Sequence, residues 1–128
     1  MRLLLDTHAF LWWIGDDRRL SGPARKAIAE PGNEVWFSVA SAWEIAIKVG
    51  LGRFEIEAPL GRFLEEQTRR NGFRILPVLL GHATSVEALP AHHRDPFDRL
   101  LVAQSIAEKM TLVSGDRVLR KYGLRVLW

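Results

Sequence analysis

The residues with chemistry to offer are acids. Asp95 and Asp98 stand three positions apart in the stretch His93-Arg94-Asp95-Pro96-Phe97-Asp98-Arg99-Leu100-Leu101-Val102-Ala103-Gln104, which turns apolar enough after Arg99 to be buried. Asp95 followed by Pro96 is a helix-start signature, because the carboxylate accepts an orphan amide and proline fixes φ where no donor is needed. Asp98 then falls in the first turn, where the helix dipole favours a negative charge by only about 0.3–1 kcal/mol. Asp6 ends the apolar run Arg2-Leu3-Leu4-Leu5, and Asp116 follows another, Met110-Thr111-Leu112-Val113-Ser114, after Gly115. Asp6 reads equally as a helix cap or as a site acid, and Asp95 with Asp98 reads locally as a capping pair. Glu44 sits on Val39–Gly50, a segment apolar almost all round. Pairing with Lys48 at i, i+4 accounts for it at about 0.3–0.5 kcal/mol, yet a carboxylate on so apolar a helix is costly to bury unless it is paired or metal-bound.

The elements that must position these acids alternate. Residues 2–5 read as a buried parallel strand delivering Asp6 at its C-terminal end, with a helix through Phe10, Leu11, Trp13 and Ile14 after it. A second helix opens at Ser21-Gly22-Pro23 and closes near Glu30. A strand at Glu34–Ser38 runs directly into the helix Val39–Gly50, and Pro59 starts another helix carrying Leu60, Phe63 and Leu64 on one face. Phe73–Leu76 is a strand, about 81–89 a helix, and Asp95 opens the next. Met110–Ser114 is a strand, and 124–127 an edge strand. The fold class is therefore α/β, a three-layer α/β/α arrangement around a mostly parallel sheet of about four to five strands. A parallel sheet brings Asp6, Glu44, Asp98 and Asp116 to one edge, where ligand sites of such folds lie. Four like charges gathered there repel unless cations hold them, and an all-oxygen set selects Mg²⁺ or Mn²⁺. The reaction such ions support is phosphodiester hydrolysis. Four separate caps would leave the same local pattern.

Composition sets the bounds. The 128 residues form one expected domain, 1–128, able to bury a proper core. With 48% hydrophobic and 26% charged residues the chain is neither disordered nor membrane-spanning in type. Asp6 and His8 interrupt the apolar N-terminal run, so no secretory leader is expected there. Zero cysteines fit a reducing cytoplasm and remove thiolate metal ligands. His92 and His93 are adjacent in a loop, where neighbouring side chains diverge, and no other zinc spacing accompanies them. His82 is expected to pack rather than ligate. The net charge of +3 with arginine as 14 of the 18 basic residues suits a polyanionic partner.

At this point the chain resembles a family. LLLDTHAFLWW, SVASAWEIAIKVGLGR, HHRDPFDRLLVAQ and TLVSGD, in that order along nearly the whole sequence, are similar to the PIN-domain ribonucleases, in particular the VapC-like toxins of toxin–antitoxin modules. The resemblance implies a PIN-like α/β/α domain that binds Mg²⁺ or Mn²⁺ through Asp6, Glu44, Asp98 and Asp116 and cuts RNA by metal-assisted hydrolysis. Asp95 is then a secondary acid, Thr7 and Ser114 the hydroxyls beside the acids, and Arg99 either a phosphate contact or the partner of a site acid. It implies a homodimer paired with a cognate antitoxin whose C-terminal segment blocks the groove. Trp12, Trp13, Trp36 and Trp43 are available for core or interface.

Two other classes compete. A receiver-like phospho-accepting domain also gathers acids around Mg²⁺, but it wants a second acid after the first strand and a lysine beyond a late one, where this chain has Thr7 and Arg117. A catalytically silent RNA-binding module on the same fold would not need all four acids.

Overall fold

Leu3, Leu4 and Leu5 have no exposed surface, because the strand they form is flanked by neighbours and its side chains meet packed helices on both faces. The computed structural model describes residues 1–56 and 59–128. Strands β1 (Arg2–Leu5), β2 (Glu34–Ser38), β3 (Arg74–Leu76), β4 (Thr111–Val113) and β5 (Val126–Leu127) form one sheet in the order β3-β2-β1-β4-β5, with every pairing parallel. Successive side chains of a strand point to opposite faces. Leu3 and Leu5 accordingly enter one core with Phe10, Val35, Phe37 and Ile45, while Leu4 enters the other with Leu101, Val102 and Leu112.

Helices cover both faces. On the first lie α1 (Thr7–Ile14), α2 (Gly22–Ala29) and α4 (Leu60–Asn71), which supply Phe10, Ile28 and Leu64 to that core. On the second lies α6 (Pro96–Glu108), with α5 (Leu80–Ser85) packed against it. Helix α3 (Val39–Gly50) serves both, through Ile45 and Ala40. The three-layer arrangement is the expected one. Among the described residues, no helix is long and apolar enough to cross a membrane.

The expected helix over 81–89 is shorter. It stops at Ser85 and tightens into a 3-10 turn at Val86–Ala88, closed by the Leu89 N–H on the Val86 carbonyl at 3.1 Å. Pro90 follows, which biases Leu89 away from helix. The Arg99 guanidinium also donates to the Val86 and Leu89 carbonyls at 3.2 and 3.4 Å. His82 is buried there, its Nδ1 accepting the Leu79 N–H and its Nε2 3.2 Å from Glu108 Oε1.

The strand order creates the site. The order in which strands are added reverses at β1, which has β2 on one side and β4 on the other, and a crevice opens beyond the C-terminal ends of parallel strands at such a switch point. The Asp6 N–H donates to the Val113 carbonyl at 3.0 Å, carrying the β1–β4 ladder one residue past the strand ends.

Candidate active site

Three of the acids are held by the caps they make. Asp6 precedes α1, and its Oδ1 accepts the Ala9 N–H at 2.7 Å. Asp95 precedes α6, its Oδ1 accepting from the Phe97 and Asp98 amides at 2.8 and 3.0 Å. Asp116 opens the 3-10 turn Arg117–Tyr122, and its Oδ1 accepts the Val118 N–H at 3.0 Å. Capping fixes each carboxylate by one oxygen and leaves the other to face the crevice or a neighbour, so cap and site acid are compatible roles. Asp98, one turn into α6, is aimed by the helix that Asp95 and Pro96 begin.

Asp6, Asp98 and Asp116 line a single cleft of about 570 Å³. Glu44 does not line it. Its carboxylate is buried beside the cleft, with Oε1 accepting the Thr7 hydroxyl at 2.6 Å and Oε2 accepting Lys48 Nζ at 2.5 Å. Thr7 Oγ1 also lies 3.0 Å from Ser41 Oγ. The ion pair with Lys48 and the burial both hold, so the charge is compensated within α3. Ser114 is buried between the acids, accepting the Asp116 N–H at 3.1 Å and hydrogen-bonding Asp6.

Burial pushes the Asp98 carboxyl up to about 7, helped by the negative charges of Asp95 and Asp6 and opposed by His93. Burial likewise raises Asp6, against the hydrogen bonds from Ser114 and the Ala9 amide, while Glu44 adds a further push upward. The cost of charge in these carboxylates is what a bound cation would relieve.

His93 is the site residue that spacing missed. Its Nδ1 accepts the Asp95 N–H at 3.0 Å, which leaves the ring proton on Nε2, and that N–H donates to Asp116 Oδ2 at 2.6 Å. Asp98 Oδ2 is 3.4 Å from the same nitrogen. His92 turns away to pack edge-on against Tyr122 at 5.0 Å, so the two histidines diverge as expected. The signal available in the sequence was the position of His93 two residues before a capping aspartate.

Among the described residues, Arg99 does not pair with a site acid. Its guanidinium donates to the carbonyls of Pro90, Val86 and Leu89 and to the Tyr122 hydroxyl. Tyr122 Oη also accepts the His93 N–H at 2.9 Å. Arg99 thus fastens the loop that carries His93. The tryptophans divide: Trp13 packs on Phe73, Trp36 lies under Arg2 and Arg74, Trp43 is 61% exposed, and Trp12 lines the cleft.

Among the described residues, one ligand atom each of His93, Asp98 and Asp116 lies within 4.8 Å of the others, a spacing that suits a metal ion. With the proton on Nε2, His93 donates to the acids and offers no lone pair to a cation there. The donor set is then oxygen, the chemistry of Mg²⁺ or Mn²⁺.

Comparison with known proteins gives the family and the fold. Residues 3–124 match the family described as PIN domain. The chain is 31% identical to Ribonuclease VapC22 of Mycobacterium tuberculosis (strain ATCC 25618 / H37Rv) over 121 residues, 94% of this chain and 91% of the relative. It is similar in fold to VapBC2 from Rickettsia felis, solved bound to a DNA fragment from their promoter, with a TM-score of 0.72 at 16% identity over 98% of this chain and 97% of that one. It is also similar to FitAcB from Neisseria gonorrhoeae, with a TM-score of 0.60 at 15% identity over 97% and 95% of the two chains.

Proposed function

This chain belongs to the PIN domain family, and from that premise we propose that it is a metal-dependent endoribonuclease acting as the toxin of a toxin–antitoxin pair. The observation that carries the reading is the gathering of Asp6, Asp98 and Asp116 on one cleft with Glu44 buried beside them. Its likeness to Ribonuclease VapC22 supports RNA as the substrate.

Asp6, Asp98 and Asp116 would hold Mg²⁺ or Mn²⁺, with Glu44 completing the acidic set. When bound there, such an ion would supply water activation and charge compensation at the phosphoryl oxygens. The protein's own contribution is positioning. The caps at Asp6 and Asp116 aim two carboxylates before any ligand arrives, and the His93 Nε2–H holds Asp116 Oδ2 in place. Ser114 steadies Asp6, and the Thr7 hydroxyl and Lys48 hold Glu44. Arg99 acts at one remove, by fastening the His93 loop.

A cognate antitoxin and a homodimer are the proposed protein partners, following the paired proteins named for the solved relatives. Support on this chain comes from α3, where Val39, Trp43, Ile47 and the flanking Leu51 recur four residues apart and all are exposed. An apolar stripe of that kind marks a protein interface.

Cleavage of RNA by the purified chain, started with Mg²⁺ or Mn²⁺ and stopped by chelator, tests the reading. Asp98→Asn and Asp6→Asn are each expected to lose about a hundredfold or more in rate while remaining folded. Full activity in both variants overturns it. Chelator-insensitive RNA binding with no products favours a silent RNA-binding module instead.

A further inference from the structure

The acidic cleft also has an aromatic wall. His8, Trp12 and Trp128 line it together with the acids. The His8 and Trp12 rings are stacked, with centroids 5.3 Å apart and planes at 28°, and Trp128 meets Trp12 at 5.8 Å and 56°. The Arg19 guanidinium lies 5.0 Å from the centre of the Trp12 ring. Asp17 fixes its plane through bonds of 3.1 and 2.7 Å. A second cavity of about 420 Å³ shares His8, Trp12 and Arg19 and continues to Arg53 and Phe54. The groove therefore runs from the acids across the aromatic stack to a second arginine.

The core takes only part of these rings. Trp12 and Trp128 pack against its edge yet stay half-buried at the cleft, and His8 is exposed. An RNA strand approaching the acids gains nothing from Coulomb attraction at their carboxylates, so affinity must come from elsewhere in the groove. Arg19, with its charge compensated by Asp17, offers a plane more than a free cation. Aromatic and guanidinium planes bind unpaired bases by stacking, and a base inside a duplex has no face to give.

We propose that His8, Trp12 and Trp128 form a stacking platform that holds an unpaired nucleobase next to the phosphodiester at the acids. The proposal rests on the ribonuclease reading for its choice of ligand. Its affinity contribution is sequence-tolerant, because every base has a π-face, and insensitive to salt, because it involves no phosphate.

Fluorescence anisotropy with a labelled single-stranded oligoribonucleotide of mixed sequence, in chelator so that nothing is cut, tests it on the full chain. Trp12→Ala should weaken binding about five- to hundredfold with the salt slope unchanged, and Trp12→Phe should retain most of the affinity. A sugar–phosphate backbone without bases should bind the wild type weakly and be indifferent to Trp12→Ala. His8→Ala, at an exposed position, should show a smaller loss in the same direction and keeps the test valid if Trp12→Ala misfolds. Unchanged affinity in the folded variants, or an equal loss for the base-free backbone, overturns the platform. Cleavage by the wild type alongside such a result leaves the ribonuclease reading standing. The predicted stacking pattern without any metal-dependent cleavage overturns the ribonuclease reading and leaves the platform.

Discussion

The Nε2 of His93 lies 2.6 Å from Asp116 Oδ2 and 3.4 Å from Asp98 Oδ2, so one imidazole faces two acids carried by different elements. Its other nitrogen is occupied by the Asp95 N–H at 3.0 Å. The ring is thereby held as a donor to the acids. His93→Ala should lower divalent-metal affinity and cleavage rate by about 10- to 100-fold, the scale on which outer partners of metal ligands act. His93→Gln, which keeps an N–H donor, should recover part of both. Mn²⁺ titration calorimetry beside a cleavage assay measures the two effects, and equal loss in both variants would contradict the donor role.

The Asp98 carboxyl is pushed up to about 7 from an ordinary value of 3.8, first by burial and then by Asp95 and Asp6. A folded value above the unfolded one means that folding binds a proton. The stability it contributes is full below 3.8 and is lost as pH rises through about 7. In chelator, the unfolding temperature of the wild type relative to Asp98→Asn should therefore decline across that window. Saturating Mn²⁺ should flatten the decline, and Mn²⁺ affinity should fall about tenfold per pH unit below 7 for each proton displaced. A pH-independent difference between the two proteins in chelator would refute this.

Gly115 separates Ser114 from Asp116, and a Cβ there would sit 3.0 Å from Trp128 Cε2 and 3.2 Å from Cζ2. Gly115→Ala must displace the indole or the turn that aims Asp116. A destabilisation of about 1–3 kcal/mol is expected, with a loss of cleavage beyond what the lower stability explains. Thermal melts and kinetics below the melting range distinguish the two.

Arg99 donates to three backbone carbonyls and to Tyr122. Arg99→Ala leaves those carbonyls without their shared donor and should cost about 1–3 kcal/mol. Because the same loop carries His93, its cleavage defect should overlap with that of His93→Ala, so that the double variant is less than additive. Arg99→Lys should not restore either property, since an ammonium lacks the planar fork. Additive losses in kcat/KM would place Arg99 on the substrate instead.

Much of this arrangement was legible in the residues. Glu34–Ser38 and Val39–Gly50 have the bounds that their patterns predict, since Ser38 caps one helix and the apolar alternation ends with it. Asp95-Pro96 marks the start of α6 for the same local reason. Hydrophobic period, capping residues and strand–helix alternation are properties of neighbours in sequence, and they suffice for α/β architecture and for acids at strand ends. What distance along the chain hides is which groups meet. Arg99 turns from the acids to the carbonyls of 86–90, His93 reaches Asp116 across 23 residues, and Trp128 folds onto Gly115. No periodicity encodes those meetings, because they follow from the sheet order β3-β2-β1-β4-β5 and from loop paths set by long-range hydrogen bonds.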